Sequence, residues 1–377
     1  MKKTIDDCFF QIQNGANIKQ GDVDGGFPIT RIETTANDKF NRDKMGYAGI
    51  TDISKFESYV LEDGDLLMSH INSVQYLGRT VLYVKQTDET IIHGMNLLRL
   101  KARRDVINPA YARYCFYGNA FRRQVRKITK KSVNQASFAV KDLKQIKIDV
   151  PSLSEQKQIV EVLYKLQKII EMRSNVLSTL DELIKARFVE MFGDPQINPF
   201  VWDVVNISEV VGGRVSNGFF AKRDDYVDDG NVRVLGVANI VNRMYSNVDE
   251  LPRTNAEYKD IEKFEVRYGD MLFCRSSLVT EGIGKASIIP ENVQENVLFE
   301  CHVIRLPLNL RKCVPEFMQT LSTMDFFRNQ VIAQSKTATM TTIGQDGILK
   351  TNIILPPLDK QREFYAFVKQ VNKSKVI

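Results

Sequence analysis

The stretch Val150-Pro151-Ser152-Leu153-Ser154-Glu155-Gln156 returns about 205 residues later as Leu355-Pro356-Pro357-Leu358-Asp359-Lys360-Gln361. Working outward, the echo extends over most of the chain. Gly64-Asp65-Leu66-Leu67 recurs as Gly269-Asp270-Met271-Leu272, and Arg99-Leu100 as Arg305-Leu306. Pro109-Ala110-Tyr111 recurs as Pro315-Glu316-Phe317, and Phe121-Arg122-Arg123-Gln124-Val125 as Phe327-Arg328-Asn329-Gln330-Val331. The matches keep their order at a nearly constant offset, which is the mark of one structural unit present twice.

Each copy has the same texture. Short apolar-alternating runs broken by Gly, Asn and Asp, such as Asp65 to Ser69 and Thr80 to Val84, predict β-strands. A helix is predicted from Pro109 to Ile128 and again from Pro315 to Ala333, with proline tolerated in the first turn. A polar loop follows, then a last strand over Ile146 to Val150 or Asn352 to Leu355.

After Pro151 the period changes. Ile159, Leu163, Leu166, Ile170, Leu177, Leu180 and Ile184 step by threes and fours, with Arg173 and Arg187 interrupting. This predicts one long helix starting behind a Ser154-Glu155 cap and sustained to about Val189, on the order of 55 Å at the α-helical rise. Phe192-Gly193-Asp194-Pro195 stops it. A helix of that length needs a partner for its stripe. Phe364, Phe367, Val368 and Val371 offer one, although that second stretch runs only about half as far past its proline. The expected organisation is therefore α+β: two tandem β-rich domains, 1–150 and 193–355, with coiled-coil-like helical segments at 151–192 and 356–377.

The 377 residues are 43% apolar and 26% charged, a globular composition of two-domain size, and no stretch approaches a membrane span. Asp6 and Asp7 follow Lys2 and Lys3 at once, unlike a secretory leader. Five cysteines without paired spacing suit a reducing cytoplasm, and three scattered histidines predict no metal site. The charge of +6 is uneven: Arg113, Arg122, Arg123, Arg126, Lys127, Lys130 and Lys131 fall in one stretch without an acid. That run reads either as a solvated helix face or as a footprint for phosphates. Motifs for chemistry are missing. Gly284-Lys285 lacks the first glycine and the hydroxyl of a nucleotide-cradling loop. Pro356-Pro357 lies between two leucines, where a target-amine site needs polar and aromatic neighbours, and no Gly-rich strand–helix turn stands out. The pairs Asp224-Asp225 and Asp228-Asp229 read as turns.

These features together resemble the DNA-specificity subunits of type I restriction-modification systems. The resemblance rests on Leu143 to Gln156, its echo Ile353 to Gln361, and the helix closed by Met191-Phe192-Gly193-Asp194-Pro195. The loops Lys131-Ser132-Val133-Asn134-Gln135 and Lys336-Thr337-Ala338-Thr339-Met340 look like the family's hydroxyl-and-amide loop. It implies a non-catalytic chain that reads double-stranded DNA at a bipartite, asymmetric site through two target recognition domains, its helices pairing as an antiparallel coiled-coil spacer. The implied partners are DNA, two methyltransferase subunits and restriction subunits. Adenosylmethionine and ATP are expected on those subunits, and no cofactor on this chain. The family's second helical segment normally matches the first in length, so the shorter one here departs from the pattern. Self-association through the uncovered stripe is accordingly expected. A scaffold that binds methyltransferase subunits without reading DNA is the alternative that the shorter helix favours.

Base-reading candidates are Ser69, His70, Asn72 and Gln75 in the first unit and Arg275, Ser276 and Ser277 in the second, because amides and guanidinium groups suit base edges. Ser132, Asn134, Gln135, Thr337 and Thr339 in the polar loops are further expected DNA contacts. Arg122, Arg123, Arg126, Lys127, Lys130, Lys131, Arg328 and Lys336 are the expected phosphate contacts.

Overall fold

The computed structural model describes residues 1–18, 25–132 and 135–376, and divides into two compact α+β units, Met1–Met172 and Arg173–Ile377. The division falls inside the long helix, not at its ends. In the first unit four antiparallel strands lie in the order Phe9–Asn14, Leu97–Ala102, Leu66–Ser69, Thr80–Leu82. Leu66, Leu67 and Met68 are all buried because both faces of this sheet are covered. Leu66 and Met68 pack with Phe116, Phe121 and Leu143 on one side, while Leu67 packs with Val81, Tyr83 and Leu97 on the other.

The second unit repeats that sheet strand for strand: Ser216–Asn217, Val303–Pro307, Asp270–Cys274, Ala286–Ile288. The duplicated Gly-Asp and Arg-Leu pairs hold it together. Gly64 and Gly269 take φ of 89° and 87°, a region that favours glycine. Asp65 then accepts a hydrogen bond from the Glu62 amide at 2.8 Å, and Asp270 from the Arg267 amide at 2.9 Å. Buried Arg99 lies 3.8 Å from Asp65 and donates to the carbonyls of Ser58 (2.6 Å) and Val60 (2.7 Å). Arg305 stands 4.0 Å from Asp270 and donates to the carbonyls of Glu265 and Lys263. These repeated charges fasten a loop to a sheet and are not exposed to a ligand.

The helix expected over 109–128 is broken into Pro109–Tyr117 and Asn119–Ile128, and its copy into Pro315–Ser322 and Asp325–Ala333. Gly118 is extended (φ −65°, ψ 144°) and ends one helix while opening the next. Asn108 caps the first, its side chain accepting from Ala110 at 2.8 Å and Tyr111 at 3.3 Å. The last strands, Lys147–Asp149 and Asn352–Ile354, pair antiparallel with Lys2–Thr4 and Val204–Asn206. The second unit also holds a sheet for which no strands were foreseen, Val232–Leu235 between Arg253–Thr254 and Val297–Phe299.

The motif that opened the reading is a stitch. The Gln156 side chain, fully buried, accepts from the Asn108 amide (2.8 Å) and donates to the carbonyls of Val106 (3.0 Å) and Pro151 (2.9 Å). Gln361 does the same with Val314 (2.9 Å), Lys312 (3.4 Å) and Pro356 (2.8 Å). Each glutamine ties the start of a helix to the loop that enters the unit's helix pair. The long helix itself spans Leu153–Phe192, 40 residues. Its cap is Ser152, not Ser154: Ser152 and Glu155 exchange bonds at 2.9 and 3.3 Å, which places the first turn two residues earlier than expected.

Within the second unit, Leu358–Val376 packs antiparallel on the end of that helix. Phe364 sits 5.5 Å from Phe188 and 5.7 Å from Phe192, ring centre to ring centre. Lys375 pairs with Asp181 at 2.5 Å, and Arg173 donates to the Lys375 carbonyl at 2.5 Å. Ile184, Phe188 and Phe192 are thereby buried. Earlier on the helix the cover stops: Leu166 is 50%, Ile169 61%, Ile170 68% and Met172 66% exposed.

Candidate nucleic-acid interface

The helix Asn119–Ile128 sorts its residues by side. Phe121 and Val125, four apart, are buried in the core, and Arg122, Arg123, Arg126 and Lys127 are exposed. The chain then enters a small three-stranded sheet in the order Ile71–Asn72, Ala136–Ser137, Lys130–Lys131. This brings Asn72 opposite Ala136 and puts Lys130 and Lys131, both exposed, on the outer strand. Ser132 turns the hairpin, its amide and hydroxyl each donating to the Gln135 carbonyl at 2.8 Å. Asn134 lies outside the described residues.

Between this helix and the segment 73–79 opens a cleft of about 520 Å³, lined by Gln75, Arg79, Arg122 and Arg126 with Ser73 and Thr129. Three of the expected contacts, Gln75, Arg122 and Arg126, therefore line the cleft, and Lys130 follows one residue past Thr129 at its edge. Arg79 was not singled out from sequence. It is held by Asp38 at 3.0 Å and lies over the Tyr76 ring at 4.7 Å, while Arg122 lies over Tyr117 at 5.5 Å. The pair Gly78-Arg79 has its own echo in Gly284-Lys285, a signal that extending the repeat would have found.

Two expected base readers do not reach the surface. Ser69 is 1% and His70 6% exposed, because the strand Leu66–Ser69 is internal to a sheet covered on both faces. Burial pulls the His70 imidazole down to about 4, so it is neutral at physiological pH. His93 is buried likewise and brought down to about 3, with Nε2 donating to the Leu97 carbonyl at 2.8 Å.

The second unit builds the matching sheet, Ser276–Ser277, Thr341–Thr342, Lys336–Thr337. It assembles Ser276, Ser277, Lys336 and Thr337, with Thr339 in the connecting turn, where Ala338 donates to the Met340 carbonyl at 3.2 Å. Lys336, Thr337 and Thr339 are exposed, whereas Arg275 is half-buried and spends one donor on the Cys301 carbonyl at 3.1 Å. The helix Asp325–Ala333 carries a single cation, Arg328, where its counterpart carries four. The two units thus present the same frame with different side chains.

No group of His, Cys, Asp and Glu among the described residues is arranged to hold a metal ion, and no helix among them is long and apolar enough to cross a membrane. The buried cysteines Cys8 and Cys313 are pushed up by desolvation, Cys8 to about 11, which keeps them as thiols.

Residues 1–182 match the family model described as the type I restriction modification DNA specificity domain. A Methanocaldococcus jannaschii protein named as the type I restriction enzyme MjaX specificity subunit is 34% identical over 190 residues, 50% of this chain and 44% of that protein. The Escherichia coli type I restriction enzyme EcoKI specificity subunit is 24% identical over 196 residues, 51% of this chain and 42% of that protein. The chain thus matches less than half the length of either relative. Among solved structures, the S subunit of a type I restriction-modification system from M. genitalium superposes with a TM-score of 0.55 at 12% identity, covering 100% of this chain and 90% of that one. That likeness concerns the fold.

Proposed function

We propose that this chain, whose residues 1–182 match the type I restriction modification DNA specificity domain, belongs to that family and reads double-stranded DNA without catalysing a reaction itself. Each unit is a target recognition domain, and the pair reads a bipartite site whose halves differ. The chain directs methyltransferase and restriction subunits to that site in the cytoplasm, and adenosylmethionine and ATP belong to those subunits. One observation carries the reading: both units frame the same helix and three-stranded sheet, yet fill it differently. Arg122, Arg126, Lys130 and Lys131 stand in one, and Arg328, Ser276, Ser277 and Lys336 in the other. A common frame fixes how each unit meets a duplex, and unlike side chains give unlike half-sites.

In the first unit the cations position the duplex, while Asn72, Gln75, Ser132 and Gln135 stand beside them as base readers. The amide groups of Asn72 and Gln75 suit adenine edges. The test changes Lys130 and Lys131 together to Ala in the chain bound to its methyltransferase subunits. Both are exposed on the outer strand of their sheet, so their side chains carry no core packing. Affinity should fall for all duplexes alike, and the slope of log affinity against log salt should flatten by ~1–2. A loss confined to one base position would make these lysines base readers, and no loss at all would remove the hairpin from the interface.

A further inference from the structure

Arg328 is an anomaly. Its side chain is half-buried, and Nη2 donates to the Glu281 carbonyl at 3.1 Å, but Nη1 is buried without a hydrogen-bond partner. No carboxylate among the described residues pairs with it. Burial pulls its proton affinity down, and the Cys274 thiol is the one neighbouring group that opposes this. A buried cation without a counter-ion costs stability, so its presence points to an anion supplied from outside.

The surroundings agree. Arg328 lines a cavity of about 330 Å³ into which Lys185, Arg243 and Lys285 also project. The one acid there, Asp181, is already paired with Lys375 at 2.5 Å. Lys285 is steadied by Asn242 at 2.7 Å. The first unit's cleft shares two repeat positions with this cavity, Arg79 and Arg122 standing where Lys285 and Arg328 do, although the rest of its lining differs. Gly78 and Gly284, with φ of 76° and 63°, pack against Val125 and Val331 in both. A cationic pair beside a left-handed glycine is thus kept twice, although the helices around it differ in charge.

We propose that the cavity at Arg328 is a phosphoryl-anion site, seated in the working complex by one phosphodiester of DNA. Arg328 and Lys285 supply the contacts, and Lys185 and Arg243 the surrounding positive field. The cavity clamps the backbone of the half-site that the second unit reads, as the Arg79–Arg122 cleft does for the first. This rests on the DNA-reading function above.

The experiment uses the full chain and its Arg328→Met variant, with two probes: a mixed-sequence DNA duplex and inorganic phosphate. Melting is measured in phosphate against chloride at equal ionic strength. Methionine removes an unpaired buried charge, so the variant should melt no lower than the parent without ligand. Phosphate should raise the midpoint of the parent only. Duplex affinity of the variant should fall about tenfold, with the salt slope shallower by about one. Equal phosphate effects on both proteins, or a variant that melts well below the parent, would make Arg328 a structural residue and overturn the site. Phosphate protection of the parent alone, with unchanged duplex affinity, would assign the cavity to a free phosphoryl ligand and overturn its DNA role. A parent that binds no duplex would sink the DNA-reading function, while the phosphate comparison would still decide whether the cavity holds an anion.

Discussion

Replacing Gln156 by Leu keeps the volume of a fully buried side chain and removes all three of its hydrogen bonds, at 2.8, 3.0 and 2.9 Å. The Asn108 amide and the Val106 and Pro151 carbonyls then lose a partner at a part-buried site. With net bond energies near 1 kcal/mol and an added penalty for each stranded group, the loss is about 3 kcal/mol. For a unit of this size that corresponds to a fall in melting midpoint of about 6–12 °C. Gln361→Leu should cost slightly less, because one of its three bonds is longer, at 3.4 Å. Differential scanning calorimetry of the two single variants and the double variant tests this. The two losses should be similar and nearly additive, since the stitches belong to separate units. A shift below about 2 °C in both variants would show that water satisfies these groups, and that the repeated Pro-to-Gln motif does not fasten the helices.

Two further outcomes follow from burial. The exposed apolar run Leu166, Ile169, Ile170 and Met172 should drive association of the isolated chain, and Ile169→Glu with Ile170→Glu should abolish it; light scattering showing a monomer before mutation would refute this. Acid should unfold the first unit early, because His70 and His93 are held neutral with depressed pKa values. Their unfolded forms take up protons below pH ~6.5 and the folded forms do not until about 4 and about 3. Stability therefore rises with pH across that window, and a few kcal/mol should be lost between pH 6.5 and 4. A His70→Asn, His93→Asn variant with an unchanged acid limb in urea titrations would refute this.

The repeat was legible because it is written in residues with fixed geometric jobs: Gly64 and Gly269 at positive φ, Asp65 and Asp270 on loop amides, Gln156 and Gln361 across a helix start. Identity of position carried the architecture without any knowledge of strand order. The long helix was equally plain, since a stripe at steps of three and four has no other reading. Side-chain exposure was not legible. Ser69 and His70 look like loop polar groups, but Ser69 ends the internal strand whose second face Val81, Tyr83 and Leu97 cover, and the His70 ring packs edge-on to Phe138 with centres 6.3 Å apart. The break at Gly118 was overridden in the reading by the helical apolar spacing on either side, although Gly118-Asn119 is a turn signal, and one extended residue decides it. Arg79 and Lys285 were passed over because each stands alone in sequence. Only the fold sets them beside Arg122 and Arg328.

The central claim is that two unlike units read two unlike half-sites. Sequencing the methylated bases of a host that carries this chain with its methyltransferase subunits tests it most directly. One chain-dependent motif is expected, with two different specified halves separated by bases that are not read. A single contiguous motif, two identical halves, or a methylation pattern unchanged when the chain is removed would contradict it.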